Sequence, residues 1–275
     1  VQLTANGYLL SSICDDMEAS SRRLDAITDR NLSEPGAIRC AVTEGLATYW
    51  LMPRLADYQA ANPSTSINLL CTMMNTDVLR LAADLAVPVV RPENPDLISF
   101  RPATIHTTLF ASQNYIRKRG TPRRLDDMVA HVLVDQESPQ TPAGILAHML
   151  GAHFTRDGVV FKTNTSSAHY YAIHTGIGIG LLPTYAVPLG AEVTHVDLGV
   201  HRSDDLWITY HPAFKDSPRM KSFIAWLKGL FDPARHPYFR SEYIAPEHLL
   251  KPCSDVMPVA NAVTHPPRWS PHDQV

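Results

Sequence analysis

What this chain lacks excludes several classes of protein at once. It has no apolar run approaching the ~18 residues that cross a bilayer, and no basic stretch leading into an apolar one near its start. Neither a membrane span nor an export signal is expected, and the cytoplasm is the expected compartment. Its four cysteines, Cys14, Cys40, Cys71 and Cys253, form no C-x-x-C pair, which fits incidental thiols under reducing conditions better than a disulfide scaffold or a zinc site. Positive charge is not in excess either: 24 Lys and Arg against 27 Asp and Glu leave a net −3, which gives nucleic acid no bulk attraction.

Catalytic and metal signatures are missing as well. No H-E-x-x-H or G-x-S-x-G occurs, and the paired histidines His148/His153 and His169/His174 are five apart. That spacing is about 140° around a helix, whereas chelation from one face needs three or four residues. No metal, no cofactor and no enzymatic activity is expected. The stretch HTGIGIGLLP (174–183) places glycines at 176, 178 and 180 but fails as G-x-G-x-x-G, because the third comes one position early and Leu181 follows. A helical pattern precedes these glycines and a strand pattern follows, the reverse of a phosphate-binding turn. Gly176 reads as a helix C-cap, and Gly178 and Gly180 as strand positions packed closely by another backbone.

What is present begins with a seven-residue rhythm. Leu3, Leu10, Met17 and Leu24 form one set, and Asn6, Ile13, Ser20 and Ile27 the set three positions on, as in the a and d positions of a heptad. A helix over 1–31 that pairs with a second copy is expected. The chain opens on Val1 instead of methionine, so it is expected to be a piece of something longer.

After the turn chemistry of NLSEPG (31–36), the 275-residue chain alternates strand and helix patterns. Strands are expected at 37–42, 66–71, 85–90, 131–136, 159–162, 177–182, 192–197 and 205–211, with LISF and HTTLFA as two more within 97–111. Helices are expected at 44–59 (kinked or restarted at Pro53), 75–83, 112–119, 125–130, 142–154, 166–175 and 217–231. This implies an α/β fold with a covered parallel sheet, built as two successive modules. Eight prolines in the last 44 residues weaken the pattern; Tyr238, Phe239 and Tyr243 are expected to dock, and the chain beyond Lys251 to be loose.

In such folds ligands sit at the carboxyl ends of strands, beside helix N-termini. Thr43 and Glu44 follow the first strand, Thr72 the second, and Asn164, Thr165, Ser166 and Ser167 open the helix at 166. Each is also an ordinary N-cap or turn residue, but convergence from two modules favours a small-molecule site. Gln136 and Thr104 are weaker candidates. Glu44 would repel an acid, which leaves a neutral or amine-bearing ligand, or an outward-turned Glu44, as alternatives.

These pieces together resemble a LysR-type transcriptional regulator without its N-terminal winged helix-turn-helix. VQLTANGYLL is similar to the wing end and linker helix, and IRCAVTEGLATYWLMPRLADYQAANPS to the first strand and helix of the effector-binding domain. DLAV (84–87) resembles the third strand, LFASQNYIRKRGTP (109–122) the crossover, KTNTSSAHYYAIHTGIGIGLLP (162–183) the helix–glycine–strand element, and PRMKSFIAWLKGLF (218–231) the closing helix. The resemblance implies two Rossmann-like subdomains joined by two crossover strands, like a type II periplasmic binding protein, after a long linker helix. Its boundaries would be a linker at 1–31, subdomain I at 36–108 plus 211–232, subdomain II at 109–210, and a proline-rich extension at 233–275. It also implies a small effector in the cleft at Thr43, Thr72 and Asn164–Ser167, a homodimer or homotetramer, and contact with promoter DNA only through the missing domain. A transporter's solute-binding protein shares this architecture and is the rival reading; a cleft enzyme is a weaker one.

Overall fold

The structure is a computed structural model that describes residues 4–28, 36–71, 78, 83–138, 144–151, 156–189 and 193–249. Helix α1 (Ala5–Thr28) leads in. Its apolar stripe is open to solvent, with Leu10 62%, Ile13 48%, Met17 68% and Leu24 66% exposed. An amphipathic helix lying on its own domain would bury those residues.

Strands β1 (Gly36–Val42), β2 (Thr65–Cys71) and β3 (Leu85–Val87) form the parallel part of the main sheet, with β1 between the other two. Between β1 and β2 the chain runs helically from Glu44 to Ala61: α2 (Glu44–Leu46), one wide π turn (Ala47–Leu51), then α3 (Met52–Ala61). Pro53 stands in the first turn of α3, where its missing N–H is tolerated, so the expected restart takes the form of a π segment. The helix expected at 75–83 lies mostly outside the described residues.

The two strand runs expected within 97–111 are one 15-residue strand, β4 (Ile98–Ser112). A register shift between Phe100 and Ala103 accommodates Pro102, which has no N–H for the ladder. β4 leads to α4 (Gln113–Arg119), a 3₁₀ segment (Leu125–Ala130), β5 (Leu133–Gln136), α5 (Ile145–Leu150), β6 (Val159–Thr163) and α6 (Ser166–His174). Then come β7 (Gly180–Pro183), β8 (Val193–His195), the long return strand β9 (His201–Tyr210) and α7 (Pro218–Leu230). β5 and β6 pair in parallel, and α6 stops at Gly176, whose φ of +88° is the left-handed conformation of a C-cap.

β4 and β9 run antiparallel along most of their length and join the halves: the main sheet runs β2-β1-β3-β9-β4-β7, with β8 also on β4. One apolar cluster, with Trp50, Leu85, Leu206, Phe223 and Phe231, reaches across to Ile173, Leu182 and Tyr185. A second, with Leu109, Tyr115, Met128, Leu133, Leu146 and Ile179, fills the later module. After α7 the chain continues through Pro237–Phe239, where Tyr238 and Phe239 are buried, to α8 (Pro246–Leu249). The expected loose segment beyond Lys251 lies outside the described residues.

Candidate functional site

A cavity of about 140 Å³ lies where the halves meet. Thr43 and Gly45 border it from the end of β1, Val134, Asp135 and Gln136 from β5, and Ser166 and His169 from α6. The crossover ribbon supplies Ile105, Thr107, Arg202 and Asp204. A wider groove of about 780 Å³ shares Ile145, Met149 and Arg202 with it.

Opposite the first turn of α2 stands the first turn of α6, and the two are joined. Glu44 Oε2 accepts from the Ser167 backbone N–H at 2.9 Å. The α6 N-cap, Thr165, makes no side-chain cap bond, so the carboxylate that satisfies an orphan amide at this helix start comes from the other half of the chain. Gly45 permits the approach: a Cβ there would lie 2.8 Å from Ser166 Cβ. Beside this contact Tyr49 packs on Tyr170, ring centroids 4.9 Å apart. Burial, with the Glu44 charge next, holds the Tyr49 phenol well above its ordinary range.

The wall has a definite polarity. Gln136 Nε2 donates to Ser166 Oγ at 3.1 Å, and the Arg202 guanidinium donates to Asp204. Burial raises the Asp135 carboxyl, helped by Glu137 and opposed by Lys162, and burial raises Asp204 against the pull of Arg202. Burial also lowers His169 to about 4, so the ring is neutral near pH 7. Its Nε2–H donates to the Leu181 carbonyl at 2.9 Å, and the Asp135 backbone also interacts with the ring.

Of the residues expected at the site, Thr43, Gln136 and Ser166 border the cavity, and Glu44 meets Ser167 across its edge. Thr72 lies outside the described residues. Thr104 does not border the cavity: side chains alternate along β4, and it falls on the face opposite Ile105 and Thr107. Asn164 is exposed, and Thr165 serves the turn, its N–H donating to Thr163 Oγ1 at 3.2 Å. Glu44 is not turned outward: it points at the other half and is held by a helix amide. Sequence reasoning missed Thr107, Asp135, Arg202 and Asp204. The signal was there in part, because HTT and HRSDD are unbroken polar runs on strands that a two-lobed fold must use as its crossover.

A mixed sheet carried by two long crossing strands, with a cavity enclosed between opposed helix starts, is the architecture of a type II periplasmic-binding-protein-like effector domain. The family described as LysR substrate binding domain matches residues 33–232, and the chain belongs to it. It is an effector-sensing regulatory domain of a LysR-type transcription factor. A relative is the uncharacterized HTH-type transcriptional regulator YhjC of Escherichia coli K12, 24% identical over 239 residues, covering 84% of this chain and 80% of that one. The fold matches the regulatory domain of CrgA, a LysR-type transcriptional regulator from Neisseria meningitidis, with a TM-score of 0.60 at 14% identity over 71% of this chain and 98% of that one. It also matches the effector domain of the transcriptional regulator AmpR of Pseudomonas aeruginosa, with a TM-score of 0.56 at 18% identity over 71% and 95%.

Proposed function

We propose that a small effector binds in the cavity bordered by Thr43, Thr107, Gln136 and Ser166, and that its occupancy sets how tightly the two lobes are held together. The observation that carries this is the cavity itself, whose polar wall comes from both halves of the chain and from the ribbon between them. A ligand touching all three changes the balance of open and closed forms by its differential affinity for them. In this reading the lobes are 36–108 plus 211–232 and 109–210, with 233–275 as an extension.

The signal leaves through α1 (within 1–31), which pairs with a second copy along its exposed stripe and leads to a DNA-binding domain of the helix-turn-helix type. The working unit is a homodimer or homotetramer in the cytoplasm, and the effector is bound and released unchanged. Among the described residues no helix is long and apolar enough to cross a membrane.

A thermal-shift screen of metabolites tests this reading. At 100 times its dissociation constant an effector stabilises the fold by about 2.7 kcal/mol. Thr43→Ala with Ser166→Ala should abolish that shift and leave the unliganded melting point nearly unchanged. A shift that survives the double variant, or chemical turnover of the ligand, would overturn it.

A further inference from the structure

We infer that the effector is a small primary amine, bound as its ammonium ion, and that Glu44 keeps carboxylates out. This rests on the reading of the cavity as the effector site. The α6 N-terminus is the natural seat for a ligand's carboxylate, and it is already filled: the Ser167 amide is held by Glu44 Oε2 at 2.9 Å. An acid would have to displace a carboxylate of the same protein and then sit beside the charge it displaced.

Charge on the wall points the same way. Asp135 and Asp204 border the cavity with a single guanidinium, Arg202, which is tied to Asp204, and Glu44 adds a third carboxylate at the edge. Burial raises both aspartates in spite of Lys162 near Asp135 and Arg202 at Asp204, so an added cation would relieve them further. A cation entering here meets negative charge in a confined space, whereas an anion meets it unpaired.

Hydrogen bonding supplies the third argument. The Ser167 N–H already has an acceptor, while the Gln136 amide and the Arg202 guanidinium each give one N–H to a neighbour, Ser166 Oγ and Asp204. The acceptors that face the cavity with charge are the Asp135 and Asp204 carboxylates. An ammonium group has three N–H donors and no acceptor, and so can donate to carboxylates on more than one side. About 140 Å³ suits a body near the size of benzene, which occupies an apolar cavity of about 150 Å³, and the adjoining groove past Ile145 and Met149 takes an apolar extension.

The test is calorimetric titration of the full chain with matched pairs on one skeleton, benzylamine against benzoate and isopentylamine against isovalerate. At least one amine should bind wild type and neither acid should. Asp135→Asn should weaken the amine by about tenfold or more, and Glu44→Ala, which frees the Ser167 amide, should strengthen benzoate or isovalerate by about tenfold. An acid that binds wild type as well as its amine partner overturns the inference, as does an amine indifferent to Asp135→Asn, or a wild type that binds neither amine. If the metabolite screen finds a ligand lost in the Thr43→Ala, Ser166→Ala variant while the amines fail, the ligand class is wrong and the site stands. If no ligand depends on that pair, the site reading falls with it.

Discussion

Thr107 and Thr108 are consecutive on β4 and serve opposite faces of the crossover ribbon. Thr107 borders the cavity, while Thr108 Oγ1 donates to the Val200 carbonyl at 2.8 Å and lies 3.2 Å from His195 Nε2. Strand alternation repeats this split: Ile105, Arg202 and Asp204 share the cavity face, and His106 and Ser203 the back. That back face is covered by the chain's own C-terminal segment, past the family match. His106 Nε2–H donates to the Arg240 carbonyl at 2.8 Å and its Nδ1 accepts from the Ser203 hydroxyl at 2.7 Å. Tyr243 stacks on His201 at 4.1 Å between centroids, and Glu247 meets His195 Nδ1 at 2.8 Å. Phe239 then packs edge-on against Trp50 at 4.8 Å.

Burial should decide which of these contacts matters for stability. Phe239 is fully buried among Trp50, Tyr185 and Phe231, so Phe239→Ala leaves a cavity and should cost about 3–5 kcal/mol. The Glu247 carboxylate is half exposed, and Glu247→Gln should cost no more than about 1 kcal/mol. Urea unfolding of both variants is the measurement. Equal effects would mean that the segment is held by its rim and not by its aromatic anchor.

The closed approach of the two lobes should hinge on one hydrogen atom. Gly45→Ala places a Cβ 2.8 Å from that of Ser166, which neither backbone can absorb without moving apart. A larger radius of gyration in small-angle scattering, with a stability loss of about 1–3 kcal/mol, is expected. Adding Ser166→Gly should reverse both; a Gly45→Ala chain that scatters like wild type would show the contact to be slack.

The contrast between what was and was not legible in the sequence has a physical basis. Local signals carried the alternation of elements, the stop at Gly176 and the start of α6, because caps, turns and periodicity act over a few residues. The cavity's ribbon wall stayed hidden because it depends on the register of β4 against β9, residues about a hundred positions apart, which pairs Ile105 with Asp204 and Thr107 with Arg202. The face of Thr104 was hidden for the same reason, since one residue of alternation decides it. Glu44 looked like an obstacle to a ligand because its partner, the Ser167 amide, is 123 residues away.

The exposed stripe on α1 predicts assembly. Leu10, Met17 and Leu24 lie on one helix face at seven-residue spacing and are each more than 60% exposed, the pattern of a helix seam awaiting a partner. Met17→Lys with Leu24→Glu should lower the sedimentation mass from dimer or tetramer toward monomer while preserving the circular dichroism of the α/β part. Unchanged mass would move the interface elsewhere.

Acid should loosen the fold through His169. Burial holds the ring at about 4 in the native chain against 6.5 for the free side chain, so the unfolded state takes up a proton that the folded state refuses. Stability from this residue is therefore complete above about pH 6.5 and is lost as pH falls toward about 4, by on the order of 3 kcal/mol. Asp135 and Asp204 act in the opposite sense: their carboxyls are raised in the folded state, which then binds protons more readily than the unfolded chain and gains stability as pH falls. The histidine must accordingly be isolated by difference. His169→Gln keeps a donor for the Leu181 carbonyl without a titrating ring, and urea unfolding of both proteins across this range should give curves that diverge from near pH 6.5 downward, wild type falling more steeply. Parallel curves would mean that the ring reaches water in the native state.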